Sequence, residues 1–98
     1  MPRRLVKDQL AQDDLIGIWV YSSRHWGEAQ AARPLDAIEL GLVALCDAPE
    51  KGRLRDEIRS GYWSVTIGRH VLFYSFTSSE LRLRRVLHGS MDFGAHLD

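Results

Sequence analysis

Four histidines, His25, His70, His88 and His96, are the side chains of this chain best suited to acid–base work, because imidazole changes charge near neutral pH and also ligates zinc. His88, Asp92 and His96 follow one another at intervals of four, so a terminal helix would align them on one face as a metal stripe. Gly89, Ser90 and Gly94 interrupt that stretch and no cysteine joins it. The favoured reading is a histidine that hydrogen-bonds the chain as it leaves a sheet, with no metal and no cofactor.

A metal-independent ribonuclease would need a general base for the 2′-hydroxyl, a general acid for the leaving oxygen and a cation for the phosphate. His70 or His88 could serve as base, and Arg59, Arg69, Arg82 or Arg84 as cation. Arginines alternating along a strand, as in "RLR", more simply make the solvated face of a sheet. Ser90 in "HGSM" lacks the strand-to-helix elbow that activates a serine, Cys46 falls on an apolar helical stripe where a thiol is inert, and there is no glycine-rich phosphate loop.

The elements that must position these groups can be read from periodicity. "PRRLVK" can form a short strand. After Asp8, a candidate N-cap, positions Ala11, Leu15, Ile18, Trp19, Ser22 and Trp26 recur at three and four, which predicts a helix from Gln9 to His25. Gly27 is the joint, and a second period follows at Ala31, Leu35, Ile38, Leu42, Leu45 and Cys46. Two helices so closely joined pack as an antiparallel hairpin. Pro34 either kinks the second helix or marks where its regular part begins, and Gly41 weakens it further. After the loop "DAPEKGR" the texture becomes β: Ile58 to Ile67, a turn at Gly68 and Arg69, His70 to Thr77, a turn at "SSE", and "LRLRRVLH". This is an antiparallel meander, with Leu81, Leu83 and, past an irregularity at the double arginine, Val86 facing a core, and Arg82 and Arg84 facing out. The hairpin is expected to cover its one apolar face.

At 98 residues the chain is expected to be one domain, 1–98, of the α+β class: N-terminal strand, helical hairpin, three-stranded meander and short C-terminal tail. One cysteine, no export leader and no apolar run near the ~20 residues of a membrane span point to the cytoplasm, with no membrane partner. Thirteen Lys and Arg balance thirteen Asp and Glu, which argues against a chain that grips nucleic acid directly. The balance is uneven: residues 49–88 hold eight basic residues against four acidic ones, a local positive field suited to an acidic partner surface.

Several strings, taken in order, resemble the ParE toxins of the RelE/ParE superfamily: "DLIGIW" at Asp14, "RHWGEAQAARPLDAIE" at Arg24, "APEKGRLRDEIRSGYWSVTIGRHVLFY" at Ala48 and "RVLHGSMDFGAHL" at Arg85. The resemblance implies a toxin of a type II toxin–antitoxin pair, associated with plasmid maintenance and growth arrest. Its antitoxin would be ParD-like, of ribbon-helix-helix type, wrapping the toxin and carrying the pair to operator DNA. The freed toxin would poison DNA gyrase by binding, without catalysis. The alternative is a ribosome-dependent mRNA endoribonuclease like those of the YoeB branch. There the strand matching "HVLFY" carries an arginine where this chain has Val71, and the terminal "HY" pair is here "HGSMD". Candidate target contacts are Trp63, Arg69, Arg82, Arg84, His88 and Met91; candidate antitoxin contacts are Arg4, Ile16, Val20 and Leu40. Two positions depart from the family pattern: Pro34, where tyrosine is frequent, and Trp63, where arginine is common.

Overall fold

In a computed structural model that describes residues 2–97, the chain enters through strand β1 (Arg4–Lys7) and turns at once into helix α1 (Gln9–Trp26). Asp8 occupies the N-cap position, yet its carboxylate does not cap. It accepts instead from Arg82 Nη1 at 2.9 Å and Arg84 Nη1 at 3.1 Å, two cations on the far side of the chain. Helix α2 (Glu28–Asp47) follows after Gly27 alone, whose φ of 82° reverses the chain where a side chain would be strained.

Pro34 neither starts α2 nor divides it, because the helix is continuous from Glu28. A proline inside a helix costs about 3 kcal/mol. Ala31 and Ile38, fully buried on either side of it, and Leu42 one turn on supply the compensating burial, at about 1.5–3 kcal/mol for each large aliphatic chain. At Gly41 the missing side chain leaves the space that the Ile67 side chain fills, so the helix approaches the sheet closely there.

The sheet has five strands in the order β1-β5-β4-β3-β2: the expected meander of β3 (Trp63–Ile67), β4 (His70–Phe76) and β5 (Glu80–His88), flanked by β1 and by a two-residue strand β2 (Arg53–Leu54) that periodicity does not reveal. Strand β1 runs parallel to β5, with Arg4 opposite Glu80. The irregularity at the double arginine is a bulge: Phe73 faces Arg85 and Tyr74 faces Leu83, which leaves Arg84 as the extra residue. Val86 therefore returns to the hairpin side, where it joins Leu72, Tyr74, Leu81 and Leu83 against Ala11, Ile38, Leu42 and Leu45. The buried Tyr74 hydroxyl donates to the carbonyl of Pro49 at 2.6 Å, and burial pushes its pKa up to about 12.

Two expectations are corrected, and one disfavoured alternative falls. The first meander strand begins at Trp63, not Ile58. Residues 55–62 are turns, closed by backbone bonds from Ile58 and Arg59 to Arg55, and the Asp56 carboxylate accepts from Gly61 N–H at 2.8 Å. The sheet is also apolar on both faces. Val71, Phe73, Leu87 and Leu97 form a second cluster with Ile58, Tyr62, Met91 and Phe93, so β4 is buried on both sides from Val71 to Tyr74. Finally, His88, Asp92 and His96 share no helical face, because His88 ends β5 and helix α3 spans only Phe93–His96.

Candidate functional site

Where α1 and α2 rise above the turn between β3 and β4, a cleft of about 910 Å³ opens between hairpin and sheet. Tyr21 and Trp26 from α1 and Pro34 from α2 form its helical wall, and Arg69, His70, His88 and Met91 form its sheet side. Three of the six predicted target contacts, Arg69, His88 and Met91, thus meet in one place. The other three do not. Trp63 is half-buried against the main core with its ring 5.4 Å from Phe76. Arg82 and Arg84 are half-buried and held on Asp8; Arg82 also pairs with Glu80 at 2.9 Å, and Arg84 lies over the Tyr62 ring. They are an internal ion cluster rather than a solvated stripe.

His88 is tied into the turn that leaves β5. Its Nδ1 lies 2.8 Å from Ser90 Oγ and accepts from Ser90 N–H at 3.2 Å, while Met91 N–H closes back on the His88 carbonyl at 3.0 Å. His70 stands opposite it on β4. Burial, with the His88 charge as a lesser cause, holds the His70 imidazole below its usual range. Val71, which occupies the place of the nuclease arginine, pairs with Leu87 and packs in the second cluster. By strand alternation that is the face away from His88, so a cation at 71 would not reach the cleft. Cys46 is buried on α2, and burial pushes its thiol up.

Of the predicted antitoxin contacts, Ile16, Val20 and Leu40 are 61%, 40% and 73% exposed on the hairpin, whereas exposed Arg4 is engaged with Glu80 at 3.2 Å. Leu10, Trp19 and Val43 are also exposed on the hairpin, and the sequence reading did not name them as contacts. Trp19 and Trp26 were expected on the buried stripe of α1 and are instead exposed. The spacing gave no warning of this, because Trp19 and Trp26 stand three and four residues from buried Ser22, on the same side of the helix. A pairing with no local signal is that of Asp14 with Arg85: Nε and Nη2 of the guanidinium donate to the carboxylate at 2.7 and 3.0 Å, and Val86 N–H donates to it at 2.9 Å.

Residues 5–93 match the family model described as the ParE toxin of the type II toxin–antitoxin system, parDE. The chain belongs to the ParE toxin family. It is 36% identical over 87 residues to Toxin ParE1 of Caulobacter vibrioides, covering 89% of this chain and 90% of that protein. It is 35% identical over 98 residues to Toxin ParE1 of Mycobacterium tuberculosis, covering 99% of this chain and all of that protein. Among solved structures, the chromosomal ParDE TA system from P. aeruginosa superposes with a TM-score of 0.76 at 17% identity, over 88% of this chain and 95% of that one. That likeness bears on fold alone, and it agrees with the ParE-like architecture of strand, hairpin and antiparallel strands. The chain is accordingly the toxin type of a type II toxin–antitoxin system. No helix among the described residues is long and apolar enough to cross a membrane.

Proposed function

We propose that this ParE-family chain, acting as one domain over residues 1–98, works by binding alone: an antitoxin holds it inactive, and once free it inhibits DNA gyrase in the cytoplasm. The observation that carries the antitoxin half is the set of large apolar side chains on the hairpin that the core does not use, above all Ile16, Val20 and Leu40. An amphipathic helix of a ParD-like ribbon-helix-helix protein fits such a surface, with an extended segment continuing toward Arg4 and the sheet edge. Operator DNA is then reached through the antitoxin, consistent with the balanced charge of this chain. The target half rests on Arg69, His88 and Met91 sharing one cleft, which offers a cation, a hydrogen-bonding ring and an apolar side chain to a protein surface. Trp63, Arg82 and Arg84 contribute by supporting the sheet beneath that surface. No cofactor is needed.

The cleft also places two histidines and an arginine together, which keeps the ribonuclease reading as the competitor. Purified protein added to gyrase with relaxed DNA, and separately to translating ribosomes, distinguishes them. Loss of supercoiling with intact mRNA is expected; codon-specific cleavage with unimpaired supercoiling would overturn the proposal. For the antitoxin surface, Ile16→Asp and Leu40→Asp are each expected to weaken antitoxin binding at least tenfold, the order expected for an apolar anchor. Stability should change by no more than ~0.5 kcal/mol in these variants, as at other exposed positions. Unchanged affinity in a calorimetric titration would move the interface elsewhere.

A further inference from the structure

His70 and His88 face each other across β4 and β5, with ring centres 5.9 Å apart and planes at 84°, where the sheet borders the cleft. Directly opposed residues on antiparallel strands keep their Cβ atoms about 4.5–5.5 Å apart, close enough for two imidazoles to converge on one ion. With zinc–nitrogen bonds of about 2.0–2.1 Å, a shared ion lies roughly 3 Å from each ring centre, which matches the observed separation after small rotations about the soft ring torsion. From this geometry we propose that the His70–His88 pair is a two-histidine site for a borderline divalent transition-metal ion, Zn²⁺ or Ni²⁺, open to the cleft and completed by water.

Ser90 prepares one of the two ligands. When His88 carries its proton on Nδ1, that proton is donated to Ser90 Oγ, 2.8 Å away, and the Nε2 lone pair is left for the metal. A hydrogen bond of this kind to the non-ligating nitrogen fixes tautomer and ring orientation in metal-binding histidines generally. In the other tautomer Nδ1 accepts from Ser90 N–H at 3.2 Å, so the turn supports both states and metal selects one. Neither ring nitrogen of His70 has a hydrogen-bond partner among the described residues. Two arginines line the same cleft, but Arg85 is neutralised by Asp14 and Arg69 is exposed to screening solvent. No group of three or more His, Cys, Asp or Glu side chains gathers as a metal site among the described residues. Of the carboxylates lining the cleft, Asp14 is taken by Arg85 and Asp13 accepts from Gln9, so hard oxygen-seeking ions such as Mg²⁺ find no gathered set of oxygen ligands here. The assignment is independent of which macromolecule the cleft engages.

Zn²⁺ titrated into the purified full chain, followed by ring-proton NMR, tests it. Saturable shifts on the His70 and His88 rings, reversed by EDTA, are expected, together with a metal-dependent rise in Tm, because the opposed pair exists only in the folded state. Affinity should fall at least ~tenfold in His70→Gln and in His88→Gln, and less in Ser90→Ala. Should the half-buried His70 variant fail to fold, the exposed His88 variant carries the comparison alone. Shifts confined to His25 and His96, an affinity unchanged in His88→Gln, or an equal response to Mg²⁺ would each overturn the site.

Discussion

Arg85 divides one guanidinium among three acceptors: both oxygens of Asp14 on α1, and through Nη1 the carbonyl of His96 at 2.7 Å in the tail. Removing one partner of a buried pair typically costs about 3–5 kcal/mol, because the other charge is left without compensation. Here the two side chains retain 18% and 15% exposure, so water recovers part of that loss. Asp14→Ala is expected to cost about 2–3 kcal/mol in urea denaturation, and Asp14→Asn less, since an amide oxygen still accepts from Val86 N–H. The histidine that first suggested catalysis is judged at the same scale. General acid–base residues supply about 10²–10⁴-fold, so His88→Gln in a nuclease would nearly abolish activity. In a binding protein the glutamine keeps its hydrogen-bonding capacity, and gyrase inhibition should weaken by no more than roughly tenfold. A dose–response of supercoiling inhibition, with circular dichroism to show the fold intact, separates the two.

Among the elements, the turn after α2 is the least tolerant of change. A Cβ at Gly52 would stand 2.7 Å from the backbone carbonyl of Ser64 and would press on the Tyr74 hydroxyl. The bond from that hydroxyl to Pro49 anchors the 3₁₀ turn Pro49–Lys51 to the centre of the sheet. Gly52→Ala should therefore destabilise by about 1–3 kcal/mol, the range of overpacking in a tight interior, read as a lowered thermal midpoint. Most elements were legible in the sequence because each announces itself locally: α1 and α2 by spacings of three and four, β4 and β5 by apolar and aromatic runs, and the bulge by two adjacent arginines between alternating leucines. The segment at Ile58 was misread for an equally physical reason. Its composition favours a strand, but the Asp56 bond to Gly61 N–H and the fit of Ile58 and Tyr62 under the sheet decide its shape. The second contact is tertiary, and no local pattern encodes it.

For the whole molecule, the cleft was only half legible. Met91 and Phe93 lie in a glycine-bearing tail that reads as loose, yet Phe93 packs 5.0 Å from Phe73 and Arg59 Nη1 donates to the Leu97 carbonyl at 3.0 Å. Half of the positive field read from residues 49–88 is spent inside the protein: of its eight basic residues, Arg55, Arg82, Arg84 and Arg85 have carboxylate partners. Surface charge is thus a poorer guide to partners here than apolar exposure on the hairpin. The sheet itself is joined across nearly the full length of the chain, since the Arg4–Glu80 contact links residues 76 apart. Strand β1 is made before the other strands and, though it also touches α2, has no strand partner until β5 follows it. Such distant pairings are slow to form, so β1 docking should be the last protected region in pulse-labelled hydrogen exchange during refolding. During synthesis the same geometry acts as a delay. The cleft wall at His88 and the strand that closes the sheet come together only after translation has passed β5, so a stalled nascent fragment ending before it carries neither a complete cleft nor a closed sheet.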